Sequence, residues 1–202
     1  MVPIALDPKF CKLAVVGNGD LALRRLSVLR AGGAVPLVFA DAPATALVAQ
    51  AGDDLRLRLP DADDLAALNV LWVVDVAEGV GEGLAAAARA LKVLVNFEDR
   101  PAFCDFHSVA EVRRGDLVLT VSTNGAAPGL AGTIRRGLET CFGPEWDGRV
   151  AEVARLRAGW RAEGMKMPEA ARRIEEIVAA GCWLNCPKPG SSKPDATPVS
   201  PS

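Results

Sequence analysis

Residues 14–41, AVVGNGDLALRRLSVLRAGGAVPLVFAD, set an apolar run, a glycine turn, a helix-length segment, a second apolar run and an acidic residue in that order. Few folds accept this order. Gly17 permits a tight turn out of Leu13–Val16, Gly19 has no Cβ to obstruct a pyrophosphate, and Ala22 lets the following helix lie close on the strand. The helix opening near Asp20 aims unpaired backbone N–H groups and its positive dipole end at whatever fills the turn. Asp41 ends the second run, 35–40, where an acid accepts hydrogen bonds from the adenosine ribose hydroxyls and repels a 2′-phosphate. The pattern therefore predicts a dinucleotide site that prefers NAD to NADP. An ordinary glycine turn in a βα unit is the alternative, and the flanking runs with Asp41 weigh against it.

The rest of the chain extends the same rhythm. Helices are expected at 44–51, soon after Asp61 and at 79–91, and strands at 55–59, 70–74 and 93–95. Strands that read as unbroken apolar runs argue for an α/β, Rossmann-like parallel sheet with helices on both faces. A further strand at 115–122 leads through TNGAAP into a helix of small residues, so Thr123 and its neighbours face a second helix start. From Trp146 the chain turns charged and amphipathic, predicting helices at 149–163 and 168–180 whose apolar residues (Val150, Val153, Leu156, Trp160, Ile174, Ile177 and Val178) serve core or dimer packing. The expected organisation is a nucleotide-binding domain (1–112), a strand-loop-helix dimerisation segment (113–145), a small helical domain (146–186) and a disordered tail (187–202).

Composition narrows the partners. Half of the residues are apolar and the formal charge is −2, which gives no overall pull toward nucleic acid or an anionic membrane. Apolar runs stop well short of a membrane span and no basic-then-apolar leader opens the sequence, so a cytoplasmic location is expected. Cys11, Cys104, Cys141, Cys182 and Cys186 are odd in number and lack CxxC spacing, which suits reduced thiols rather than disulfides or a metal site.

Two longer segments carry a resemblance: VNFEDRPAFCDF at 95–106 and RRGDLVLTVSTNGAAPGLAGTIRRGLE at 113–139. With the glycine turn, they make residues 3–145 similar to the precorrin-2 dehydrogenase / sirohydrochlorin ferrochelatase family, the first module of siroheme synthase. The resemblance implies NAD-dependent removal of a hydride and a proton from precorrin-2 to give sirohydrochlorin, in a homodimer. Ferrous iron is a second substrate in some members. It places the family's most important acid on Asp99, cofactor contacts on Gly17, Gly19, Asp20, Leu21, Asp41 and Ala42, and a loop serine's position on Thr123. The chain departs from the pattern at Asp75 (threonine in the family), Gly81 (asparagine), Val109 (proline), and Asn124 and Gly125 (a glycine pair).

The residues suggest matching chemistry. Past the strand ending at Asn96, Asp99 is placed to take the proton lost as the macrocycle is oxidised, a general base whose pKa partial burial would raise; a plain turn former is the alternative. Glu98 and Asp105 are nearby carboxylates with either a shared proton role or none. His107, the one histidine, is a pocket group or a packed polar residue. A polycarboxylate substrate needs guanidinium partners, for which Arg100, Arg113, Arg114, Arg135 and Arg136 are candidates against simple surface solvation. Thr123 and Asn124 offer donors to a substrate carboxylate, or only cap a helix. Two rival functions remain: a non-catalytic tetrapyrrole- or dinucleotide-binding protein derived from this family, and a dehydrogenase for another small substrate.

Overall fold

Leu13–Val16 (β1) and Val70–Val73 (β4) are apolar at every position because both strands are interior, with helices above and below. The computed structural model describes residues 2–77 and 79–185; the expectations for Cys186 and the tail 187–202 lie outside them. The chain forms two compact units that divide after Ser108.

In the first unit, β1 is followed by α1 (Asp20–Ala31), β2 (Leu37–Phe39), α2 (Thr45–Ala51), β3 (Leu55–Arg56), α3 (Ala62–Ala66), β4, α4 (Val80–Ala90) and β5 (Leu94–Phe97). The five strands pair in parallel in the order β3-β2-β1-β4-β5. Alternate residues of β1 and β4 feed opposite cores: Val15 and Trp72 join Leu26 of α1 and Leu47 of α2, while Val16 and Leu71 join Leu65 of α3 and Ala85 of α4. Each fully buried leucine contributes roughly 2 kcal/mol of burial. The predicted α/β sheet with helices on both faces is what forms.

Two of the strand expectations in this unit shift by two residues or more at one end. The strand read over 55–59 stops at Arg56, because Arg58 turns away to pair with Asp61 and Asp64, which form the reciprocal capping box of α3. The strand read at 93–95 runs on through Asn96, whose buried amide is satisfied by donating to the carbonyl of Phe106 at 2.9 Å.

The second unit opens with an antiparallel hairpin, β6 (Ala110–Arg114) and β7 (Leu117–Val121), so the boundary read at 112/113 falls inside β6. Gly115, at φ +55°, makes the two-residue turn, and a Cβ there would overlap the Asp147 carboxylate. Helices α5 (Pro128–Cys141), α6 (Glu145–Ala162) and α7 (Met167–Ala180) follow. The seven apolar positions expected to pack on α6 and α7 are all half-buried. Arg149 lies over the rings of both Trp146 and Trp183, each at 5.2 Å. Among the described residues no helix is long and apolar enough to cross a membrane.

Candidate functional site

Because all five strands run the same way, the segments leaving β1, β2, β4 and β5 emerge along one edge of the sheet. The strand order reverses between β1 and β4, which opens the crevice where ligands of such sheets sit. Gly17 is obligatory there: a Cβ would overlap the carbonyl oxygen of Val74. Its N–H donates to Phe39 O at 3.0 Å, which ties the turn to β2.

Asn18 completes that tie. Its side-chain amide donates to Asp41 Oδ1 at 2.8 Å, its side-chain oxygen accepts the Ala42 N–H at 3.1 Å, and its backbone carbonyl accepts the Ala44 N–H at 2.8 Å. Gly17, Gly19, Asp41 and Ala42 are thus brought to one corner, with Asp41 exposed and held in orientation. The sequence pattern assigned Asn18 no role; the signal was a side chain with both donor and acceptor at the turn's centre.

Asp20 and Leu21 begin α1, whose N-cap residue Gly19 has no side chain to satisfy the first turn. The cap comes instead from Asp75, in the loop after β4, whose Oδ2 accepts from Leu21 N–H at 2.8 Å and Ala22 N–H at 3.1 Å. Asp75 holds a left-handed backbone, φ +49°, and a Cβ on Gly19 would lie 3.0 Å from the same oxygen. The sequence marked Asp75 only as a departure.

Beyond β5 the chain forms a tight loop carrying Asp99, at φ +58° and exposed. The partial burial expected of it is therefore not found. Arg100 is engaged by Glu82 at 2.6 Å and lies over Phe97 (5.5 Å) and Phe103 (5.3 Å). The Glu82 carboxyl is held below its ordinary range by its own backbone N–H first and by the Arg100 charge, against opposing desolvation. Gly81 and Phe97 fit each other: the Phe97 ring fills the space that any side chain at 81 would need. Glu98 pairs with Arg25 of α1 at 2.8 Å and donates its N–H to Val73 O. Arg25 is thereby neutralised.

The CDF segment, residues 104–106, runs alongside β5. Asp105 donates its N–H to Val95 O at 2.7 Å, its carboxylate accepts the Val95 N–H at 2.9 Å, and Arg89 pairs with it at 2.8 Å. The Cys104 thiol accepts from Phe97 N–H and donates to Phe97 O. Phe106 meets Trp72 edge-to-face, while the indole N–H donates to Ser108 Oγ at 3.4 Å. Asp105 thus has a structural occupation, and His107 is half-buried.

The remaining candidates belong to the second unit. Thr123 Oγ1 accepts the Ala127 N–H at 3.1 Å and Thr123 O accepts Ala126 N–H, so this residue closes the turn before α5. Asn124 and Gly125 follow with left-handed backbones, φ +53° and +78°. Arg113 meets Glu111 at 3.5 Å, Arg114 donates to Phe142 O, Arg135 pairs with Glu139, and Arg136 donates to Thr133. Among the described residues no three His, Cys, Asp or Glu side chains gather as a metal site.

A family model of NAD(P)-binding proteins matches residues 4–110. The siroheme synthase of Methylococcus capsulatus (strain Bath) is 32% identical over 187 residues, covering 89% of this chain and 38% of that protein. The siroheme synthase of Pseudomonas putida W619 is 36% identical over 149 residues, covering 72% and 32%. The chain spans about a third of the length of these relatives. The solved structure titled SirC, precorrin-2 dehydrogenase, has the same fold, with a TM-score of 0.72 at 21% identity, covering 92% of this chain and 93% of that one.

Proposed function

This chain belongs to a family of NAD(P)-binding proteins, and from that premise we propose that it oxidises precorrin-2 to sirohydrochlorin with NAD as acceptor. The observation that carries the reading is the common sheet edge: the glycine turn, Asp41 and Asp99 leave β1, β2 and β5 on the side where the strand order reverses. The residues fit a dinucleotide. Gly17 and Gly19 clear the turn, the opening of α1 suits a diphosphate that takes the place of the Asp75 cap, and Asp41, steadied by Asn18, suits the ribose hydroxyls and disfavours a 2′-phosphate. NAD rather than NADP is the proposed cofactor.

The bound nicotinamide supplies a hydride acceptor. Asp99 accepts the proton that leaves the macrocycle, and its exposure means that bound ligand must provide the desolvation that strengthens it as a base. Arg100, released from Glu82, is proposed to meet a carboxylate of the substrate, and within the second unit Arg113, Thr123 and Asn124 are each proposed, on the resemblance alone, as substrate-binding residues. Leu130 (54% exposed) and Ile134 (42%) lie one turn apart on α5, an apolar face that supports a homodimer.

Purified protein given precorrin-2 and NAD should produce NADH absorbance together with sirohydrochlorin; no turnover with intact binding would overturn the assignment. Ferrous iron added to the same mixture tests metal insertion. A second reading, a tetrapyrrole or dinucleotide holder without turnover, is favoured by the exposed Asp99 and by Arg100 being occupied. Tight sirohydrochlorin binding without NADH formation would select it.

A further inference from the structure

We propose that Asp75 is a built-in competitor of the dinucleotide's diphosphate and sets how tightly this chain takes its cofactor. The inference rests on the dinucleotide reading above and goes beyond it by naming the residue that governs affinity.

The first turn of a helix leaves backbone N–H groups without helical partners, and these groups hold phosphate in nucleotide folds. In α1 the N–H groups of Leu21 and Ala22 are both taken by one oxygen of Asp75, at 2.8 and 3.1 Å. This is no local cap. Asp75 lies 54 residues beyond Leu21 and reaches the helix from the end of β4, across the point where the strand order reverses. Its left-handed backbone, which L residues rarely adopt, accompanies this pose, and its Oδ2 rests against the turn at Gly19.

A diphosphate seeking the same N–H groups must displace that oxygen, and a carboxylate remaining beside it repels the ligand. The surrounding charge does not compensate. Asp20 stands in the first turn, Asp41 lies at the end of β2, and Arg25 is committed to Glu98. A residue with a neutral oxygen at position 75 offers α1 a weaker, more easily displaced cap and removes the charge that repels the diphosphate.

A merely structural cap and a competitor predict opposite changes in affinity. The test is calorimetric titration of the full chain, as wild type, Asp75→Asn and Asp75→Thr, with NADH, ADP-ribose and adenosine. NADH and ADP-ribose should bind both variants about tenfold more tightly than wild type, a gain that shrinks as salt is added, while adenosine, without phosphate, binds all three alike. If wild type binds NADH as tightly as both variants or more so, or if adenosine shares the gain, the competitor role is overturned while the dinucleotide site stands. If no protein binds NADH or ADP-ribose, the dinucleotide reading itself falls and takes this inference with it.

Discussion

Asp99, Gly81 and Gly17 show how much of the site rests on single positions. Asp99→Asn suits the same left-handed backbone but removes the base, so turnover should fall by at least about a hundredfold with NADH affinity unchanged, measured by steady-state rates beside calorimetry. The pairing of Gly81 with Phe97 makes a sharper prediction. Gly81→Asn should cost about 1–3 kcal/mol through overpacking against the ring, and Phe97→Val should recover most of it in the double variant, as urea unfolding would show. Equal losses in single and double variants would refute the coupling. The glycine at 17 was legible from the spacing of the motif, although what excludes a side chain there is the Val74 carbonyl oxygen, which a Cβ would overlap. Asn18 and Asp75 were not, since their roles depend on partners 23 and 54 residues away that no local pattern displays.

At the scale of elements, the interior strands could be read directly, because burial on both faces demands unbroken apolar runs. The hairpin was only half legible. β7 carries LVLTV, whereas β6 reads AEVRR and hides its pairing behind charge, showing Val112 alone as buried. β3 shortened for a similar reason, Arg58 being drawn to the α3 cap. The Asp64 carboxyl is lowered from 3.8 chiefly by its hydrogen bond from Arg58. A depressed native value means that the pair stabilises fully above the unfolded value and loses its contribution as pH falls through the native one. Arg58→Ala should therefore lower the urea midpoint at neutral pH, and the gap should close below 3.8. A gap independent of pH would rule this out. At the start of α5, Thr123→Ala should cost about 1 kcal/mol by orphaning the Ala127 N–H, read from the same unfolding curves.

For the whole molecule, the two cores on opposite faces of the sheet share strands but not side chains. Leu26→Ala and Leu71→Ala should each cost about 2–5 kcal/mol, with their sum matching the double variant to within about 0.5 kcal/mol. If α5 joins two copies, Ile134→Glu should convert a dimer into a monomer in sedimentation, and an unchanged mass would remove α5 from the interface. The resemblance read from the 95–106 and 113–139 motifs agrees with the relatives found, although the motifs alone gave no hint that CDF runs beside β5. That arrangement bears on solubility. β5 is an outermost strand, and bare outermost strands recruit other chains into intermolecular sheets. With the main-chain groups of Val95 and Phe97 already occupied from within, the molecule offers no template on that flank. A variant such as Asp105→Pro, stripped of this guard, should precipitate from solutions in which the parent protein stays clear.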